Sequence, residues 1–175
     1  MFAAANASCD RCHTEPMALT FAPVMSPILD CGLFALEVRC ENDTLVELCF
    51  VPPGHVRAAR TALEREVARQ IAAWLKDACF EFTLPLAPRG TPFQSRIWAA
   101  LREIPPGQTR RYGELAGQLG TAARAVGGAC RANPWPLINP CHRVVGVHDE
   151  GGFAGERDGW LCGVKRWLIE RERRR

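Results

Sequence analysis

Nine cysteines are spread along the 175 residues, and one of them stands where a nucleophile could be made. In Pro140-Cys141-His142-Arg143 a thiol is followed directly by an imidazole and preceded by a proline that restricts the backbone. Cysteine is the most nucleophilic side chain near neutral pH, yet at its free pKa of about 8.5 only a small fraction is thiolate. It needs a base or a positive field. His142 can serve as the base, and a helix or turn starting at Cys141 would aim backbone N–H dipoles at the sulfur. Just upstream runs a small-residue segment from Arg124 through Ala125, Val126, Gly127, Gly128, Ala129, Cys130 and Arg131 to Asn133-Pro134. Reactive thiol and arginine-flanked surface therefore share one stretch of chain.

The elements that position this stretch follow from periodicity. Thr91-Pro92-Phe93-Gln94 combines an N-cap, a proline at the first helical position and a capping-box glutamine. The helix it opens runs to about Glu103, with Phe93, Ile97, Leu101 and Ile104 inward, and Pro105-Pro106-Gly107 stops it. Tyr112 to Leu119 reads as a short helix ended by Gly120; Thr121 is placed to cap the next, over Ala122 to Ala132. Two short helices joined by a glycine turn make a helix-turn-helix. Its second helix offers Ala125, Gly127, Gly128 and Ala129 on one side, with Arg124 projecting from the first turn. Major-groove reading needs longer polar side chains. A small-residue face suits close, weakly sequence-reading contact with a minor groove, or tight packing inside the protein.

Upstream, Phe34 to Cys40 and Thr44 to Phe50 alternate as half-buried strands around the turn Glu41-Asn42-Asp43. Val56 to Asp77 has helical spacing, and Phe80, Phe82, Leu84 and Leu86 alternate again. The expected fold is an α+β N-terminal domain, a small antiparallel sheet with a helix, over residues 23–88. A mainly α C-terminal domain with a winged or helix-turn-helix-like DNA-binding motif follows over 91–175. Residues 1–22, without sustained periodicity, are expected to be a disordered tail.

Apolar residues make up 47% of the chain, enough for a substantial core. No apolar run reaches the roughly 20 residues of a membrane span, and Met1 to Cys9 lacks the basic and apolar regions of an export signal. An odd, irregularly spaced cysteine set fits reduced thiols in the cytoplasm. Net charge is +3, but residues 1–87 carry 7 basic and 11 acidic side chains while 88–175 carry 15 and 8. All basic residues except Lys76 and Lys165 are arginines, the side chain suited to phosphate forks. The second half is the polyanion-binding half.

From Thr91 onward the chain resembles the O6-alkylguanine-DNA alkyltransferases, also called methylated-DNA–protein-cysteine methyltransferases. The resemblance is carried, in order, by Thr91 to Gln94 with Trp98, Ile104 to Thr109, Tyr112 to Ala116, Ala123 to Ala129, Asn133-Pro134, Pro140 to Val144, and Lys165 with Leu168 and Glu172. It implies direct-reversal DNA repair without a cofactor or metal. A base carrying an alkyl group on O6 of guanine, and by extension O4 of thymine, is flipped out of double-stranded DNA gripped through the minor groove. Cys141 takes the group in one displacement, so each molecule, a monomer, acts once.

By the same resemblance Arg124 fills the gap in the base stack, with Ala125, Gly127, Gly128, Arg131 and Thr109 along the DNA; Arg111 stands where the family often has serine and is expected to add a phosphate contact. Tyr112 helps turn the nucleotide and donates to the leaving base, while Asn133 is the hinge between helix and nucleophile loop. His142 and Glu172 form a relay in which the carboxylate orients the imidazole and the imidazole, through a water, draws the thiol proton; Glu172 is favoured over Glu170. The pocket is expected to be lined by Val144, Pro136 and either Phe153 or Trp160. These two aromatics compete because Tyr112 is the sole tyrosine, and the Gly151 to Trp160 loop departs from the family's Gly-Tyr-x-Gly-Gly pattern with an insertion of about four residues.

Other patterns carry less. Cys9-Asp10-Arg11-Cys12-His13 matches haem attachment but has no export signal, and a zinc site from these thiols with Cys31 or Cys40 lacks the family's ligand spacing. Three alternatives remain distinct: a lesion binder of the same family without the nucleophile, a DNA-independent cysteine hydrolase, and a transcription factor. Cys141 speaks against the first, the basic helix-turn-helix against the second, and the Ala/Gly face against the third.

Overall fold

In the computed structural model, residues 27–54, 56–147, 150–155 and 158–174 are described. The segment 1–22, with Cys9, Cys12 and His13, lies outside them, as do His55 and His148.

Strands β1 (Pro27–Asp30), β2 (Ala35–Glu41) and β3 (Thr44–Val51) form one antiparallel sheet in sequence order. The β2–β3 turn has Asn42 and Asp43 both left-handed, at φ 48° and 56°. That two-residue geometry matches the twist of paired strands, and Asn and Asp tolerate it. Strand β1 was not expected from the sequence: it is four residues long, begins with proline at a sheet edge and has an irregular register between Pro27 and Leu29.

Helix α1 (Ala62–Lys76) begins six residues later than the periodicity from Val56 suggests. The Glu64 carboxylate accepts from both Arg57 guanidinium nitrogens, at 2.8 and 2.6 Å, and from the Arg60 N–H at 2.6 Å. Thr61 caps the helix by accepting from the Glu64 N–H at 3.1 Å. This cluster holds 57–60 outside the helix, so Ala59 is not on its apolar stripe. The strand expected over Phe80 to Leu86 is likewise absent: its one ladder contact is Leu45 with Leu86. Gln70 of α1 replaces a strand partner, accepting from the Thr83 N–H and donating to Thr83 Oγ1, both at 2.9 Å.

In the second half, α2 (Pro92–Arg102) has both halves of its capping box, Gln94 N–H to Thr91 Oγ1 at 3.2 Å and Thr91 N–H to Gln94 Oε1 at 2.8 Å. Helix α3 (Tyr112–Leu119) ends at Gly120, φ 62°, and α4 (Ala123–Arg131) follows. The N-cap of α4 is Ala122 with no side-chain bond, so Thr121 does not cap it. Two-residue strands β4 (Arg110–Arg111) and β5 (Val144–Val145) pair in parallel, and α5 (Trp160–Arg173) completes the chain.

The two halves share one buried cluster. At its centre Trp135 Nε1 donates to Leu45 O at 3.0 Å, and the Leu48 N–H to Pro134 O at 2.9 Å. The outer edge of β3 thus holds the segment leading to Cys141, while Phe34 meets Trp167 and Phe50 meets Phe153 with ring centres 5.5 Å apart. Trp135→Phe removes one of two donors to Leu45 O, which keeps the Ala87 N–H at 3.0 Å, and the lost bond is expected to cost about 0.5–1.5 kcal/mol, read as a lower urea midpoint with unchanged slope.

Candidate active site

The nucleophile loop is built from tight turns. Pro140, at φ −76° and ψ 67°, is the centre of an inverse γ-turn in which the Cys141 N–H donates to Asn139 O at 2.7 Å. Residues Cys141–Arg143 then make a single 3-10 turn. The expectation that a helix start would aim its dipole at the sulfur is corrected here. The turn is too short to sum peptide dipoles, and the Cys141 N–H is already used. A side chain supplies the polar contact instead: Asn133 Nδ2 lies 3.4 Å from Cys141 Sγ and donates to Asn139 O at 2.8 Å. The thiol is 6% exposed.

His142 is wholly buried, and its Nε2 sits 2.8 Å from Glu172 Oε1. A carboxylate only accepts, so Nε2 carries the proton and Nδ1 is left as a base. That Nδ1 is buried without a hydrogen-bond partner among the described residues. Burial lowers the His142 pKa, although the Glu172 contact opposes the shift, so the ring is neutral and able to take a proton. Glu172 is also bound by Arg143 through Nε at 3.0 Å and Nη2 at 2.9 Å, and by the Gly107 N–H at 3.0 Å. Burial pushes its carboxyl up, but the His142 and Arg143 contacts outweigh that and hold it at about 2. Glu170 is exposed beside Arg174. The separation follows from α5, whose buried stripe of Val164, Leu168 and Glu172 excludes Glu170.

Lys165, also fully buried, donates to Val144 O at 2.7 Å and Gly152 O at 3.2 Å, tying β5 to the closing loop. Its ammonium lies 5.8 Å from the centre of the half-buried Tyr112 ring. Burial lowers the Lys165 pKa and raises that of Tyr112, with the Cys130 and Cys141 thiols adding to the rise, so the phenol remains a donor. A cavity of about 70 Å³ opens on Cys141, lined by Asn133, Pro136, Cys130, Arg131, Phe153 and Leu161 among others. Phe153, 4% exposed and against Phe50 of β3, supplies the aromatic wall. Trp160 does not line the cavity; it starts α5 and packs on the core. Val144 is wholly buried in β5 and does not line the cavity, and its carbonyl accepts from Lys165.

On α4, Arg124 and Gly128 are exposed and Ala125 and Gly127 half-buried. A methyl group built on Gly127 or Gly128 would meet nothing within 4 Å, so this face is open and does not serve tight internal packing. Ala129 is a correction: at 2% exposure it belongs to the core with Val126. Arg131 is exposed at the cavity rim, where a side chain on Gly155 would come within 3.0 Å of its Nε. Half-buried Thr109 and exposed Arg111 border an open groove of about 540 Å³ with Val145 and Val147.

Sequence reasoning missed the roles of Arg143, Lys165, Gly107, Asn139 and Arg102. The first two were visible as charged residues on otherwise buried elements; the others had no local signal. Among the described residues no cluster of three or more His, Cys, Asp or Glu is arranged to hold a metal. No helix there is long and apolar enough to cross a membrane.

Residues 92–174 match the family model described as "6-O-methylguanine DNA methyltransferase, DNA binding domain". A methylated-DNA–protein-cysteine methyltransferase of Methanosarcina acetivorans is 43% identical over 112 residues, covering 62% of this chain and 68% of the relative. The crystal structure of Mycobacterium tuberculosis O6-methylguanine methyltransferase superposes with a TM-score of 0.70 at 33% identity, over 85% of this chain and 92% of that one. The M. tuberculosis protein in complex with DNA gives 0.63 at 34% identity, over 83% and 90%.

The buried ionic cluster predicts acid sensitivity of the fold. His142, held below its ordinary 6.5, supports the fold fully above that value, and the support falls away as pH drops below it. Glu172 contributes fully above the unfolded carboxylate value of about 4.3 and loses that contribution as pH falls toward 2. The urea midpoint should therefore be flat near neutrality, decline below about 6.5 and steepen below about 4.3. Glu172→Gln should give a shallower acid limb and, by leaving Arg143 buried without its counter-charge, cost about 3–5 kcal/mol.

Proposed function

Because the chain belongs to the O6-methylguanine DNA methyltransferase family and repairs DNA by transferring an alkyl group to cysteine, we propose that Cys141 is the acceptor, with His142 and Glu172 as its proton relay. What supports this assignment above all is the order Glu172, His142, Cys141: a carboxylate that fixes the imidazole tautomer and a buried Nδ1, unpartnered among the described residues, one residue from the thiol.

In the proposed reaction a water between thiol and ring passes the Cys141 proton to His142 Nδ1, and the imidazolium is stabilised by Glu172. The thiolate attacks the alkyl carbon on O6 of guanine in line with the C–O bond. The S–C bond forms as the C–O bond breaks, and the electron pair stays on the base. Tyr112 donates a hydrogen bond to the leaving guanine, aided by the nearby Lys165 charge. A thioether has no leaving group under these conditions, so the protein acts once. The partner is double-stranded DNA carrying the lesion, bound by a monomer in the cytoplasm. The open Ala/Gly face of α4 enters the minor groove, Arg124 occupies the vacated stack, and Arg131, Arg111 and Thr109 meet the backbone. The Cys141 and Val144 carbonyls face the base amino group, between Pro136 and Phe153.

The test is intact mass after incubation with excess duplex containing O6-methylguanine. One methyl per protein, mapped to Cys141 and saturating, is expected; lesion-selective binding without any mass change would sink the assignment. Cys141→Ala should bind the duplex with unchanged affinity and gain no mass. Arg124→Ala should slow transfer to duplex DNA at least tenfold, with less effect on single strands, where no stack need be broken. Raising salt should weaken binding of all forms steeply.

A further inference from the structure

Asn139 and Arg102 take no part in the relay just described, yet they control an atom that touches its nucleophile. A guanidinium has only donors, so the 2.6 Å contact of Arg102 Nη1 with Asn139 Oδ1 fixes which end of the Asn139 amide is oxygen. Its Nδ2 must then be the donor toward Asn133 Oδ1, 3.1 Å away. Asn133 Oδ1 also receives the Trp135 backbone N–H at 3.1 Å. With its oxygen bound by two donors, Asn133 has its NH2 group left for Asn139 O at 2.8 Å and Cys141 Sγ at 3.4 Å. A reversed amide would set oxygen against the Asn139 carbonyl and the sulfur lone pairs, and NH2 against the Trp135 N–H.

We propose that Asn139 and Arg102 are positioning residues that lock the Asn133 amide with an N–H toward Cys141 and thereby favour the thiolate; this rests on Cys141 being the alkyl acceptor. Arg102 is exposed at the end of α2, whereas Asn139 is wholly buried. The pair therefore carries the donor preference of a solvated cation into the interior without burying a charge. The need is physical. Burial disfavours an anion on Cys141, and the loop offers it no helix dipole. A hydrogen bond whose acceptor gains charge strengthens as the proton leaves, so a fixed N–H lowers the thiol pKa where a freely turning amide would not.

Two readouts test this in the full chain: the rate of Cys141 carboxamidomethylation by iodoacetamide across pH, followed on the Cys141 peptide by mass spectrometry, and single-turnover transfer from an O6-methylguanine duplex. Asn139→Leu and Arg102→Met should slow both roughly tenfold at neutral pH and move the midpoint of the pH profile up by about one unit. Rates should converge with wild type at alkaline pH. Arg102→Lys, which restores one donor, should recover most of the rate, and Asn139→Asp, which sets oxygen against Asn133 Oδ1, should be slower than Asn139→Leu. A loss equal at every pH, or unchanged rates in both variants, would overturn the proposal. Should Asn139→Leu fail to fold, the exposed Arg102 variants decide. If the iodoacetamide profiles shift while wild type transfers no alkyl group, the relay stands and the acceptor assignment falls.

Discussion

A single buried carboxylate organises the catalytic half. Glu172 comes from the last turns of α5 and is met by His142 and Arg143 from the 3-10 turn and by the Gly107 N–H from the bend after α2. An ionised carboxylate at 1% exposure carries a desolvation cost of several kcal/mol that only near-complete pairing offsets. Three chain segments therefore converge on one point or the charge cannot be accommodated. Gly107 shows how tight the convergence is: it lies at φ 80°, and a side chain there would come within 3.0 Å of the Glu172 backbone oxygen. The same cluster sets the tautomer of His142, so the constraint that assembles the fold also prepares the base.

The N-terminal half reaches the site by a different route. The outer edge of β3 is met at Leu45 by residues 85–87, and the chain following α4 adds the Leu48 N–H to Pro134 O bond and the Trp135 indole on Leu45 O. One backbone bond and one indole bond tie the two segments together. They place Asn133 and Pro134, and through them the sulfur. Phe50 of β3 then backs Phe153 across the cavity, so both the nucleophile and one pocket wall are referenced to the same strand.

The parts legible in the sequence were those encoded locally. The capping box at Thr91, the stop at Pro105-Pro106-Gly107, the α3 span and the β2–β3 hairpin depend on neighbours a few residues away. The choice of Glu172 over Glu170 followed from helical phase. What could not be read depends on contacts distant in sequence: Glu64 drawing Arg57 and Arg60 out of the helix, Gln70 occupying the backbone of Thr83, Arg143 turning inward to Glu172. Ala129 was misplaced because alanine carries no signal for which face it takes, and Thr121 because a capping residue one position early looks the same in sequence. Asn139 was hidden by type, since an asparagine before proline reads as a turn and only the fold brings it against Asn133.

Polar groups in this site are arranged in series rather than as a cluster around the thiol. Glu172 acts on His142, Arg102 on Asn139 and Asn139 on Asn133, and the sulfur itself touches a neutral amide. A cation placed directly against Cys141 would yield a standing thiolate open to any electrophile or oxidant. The buried Lys165, which does interact with Cys141 through space, has its ammonium engaged by the Val144 and Gly152 carbonyls. For a protein that reacts once, a nucleophile consumed by the wrong electrophile is a molecule lost. A neutral His142, a phenol held protonated and an amide of fixed orientation stand together in this site.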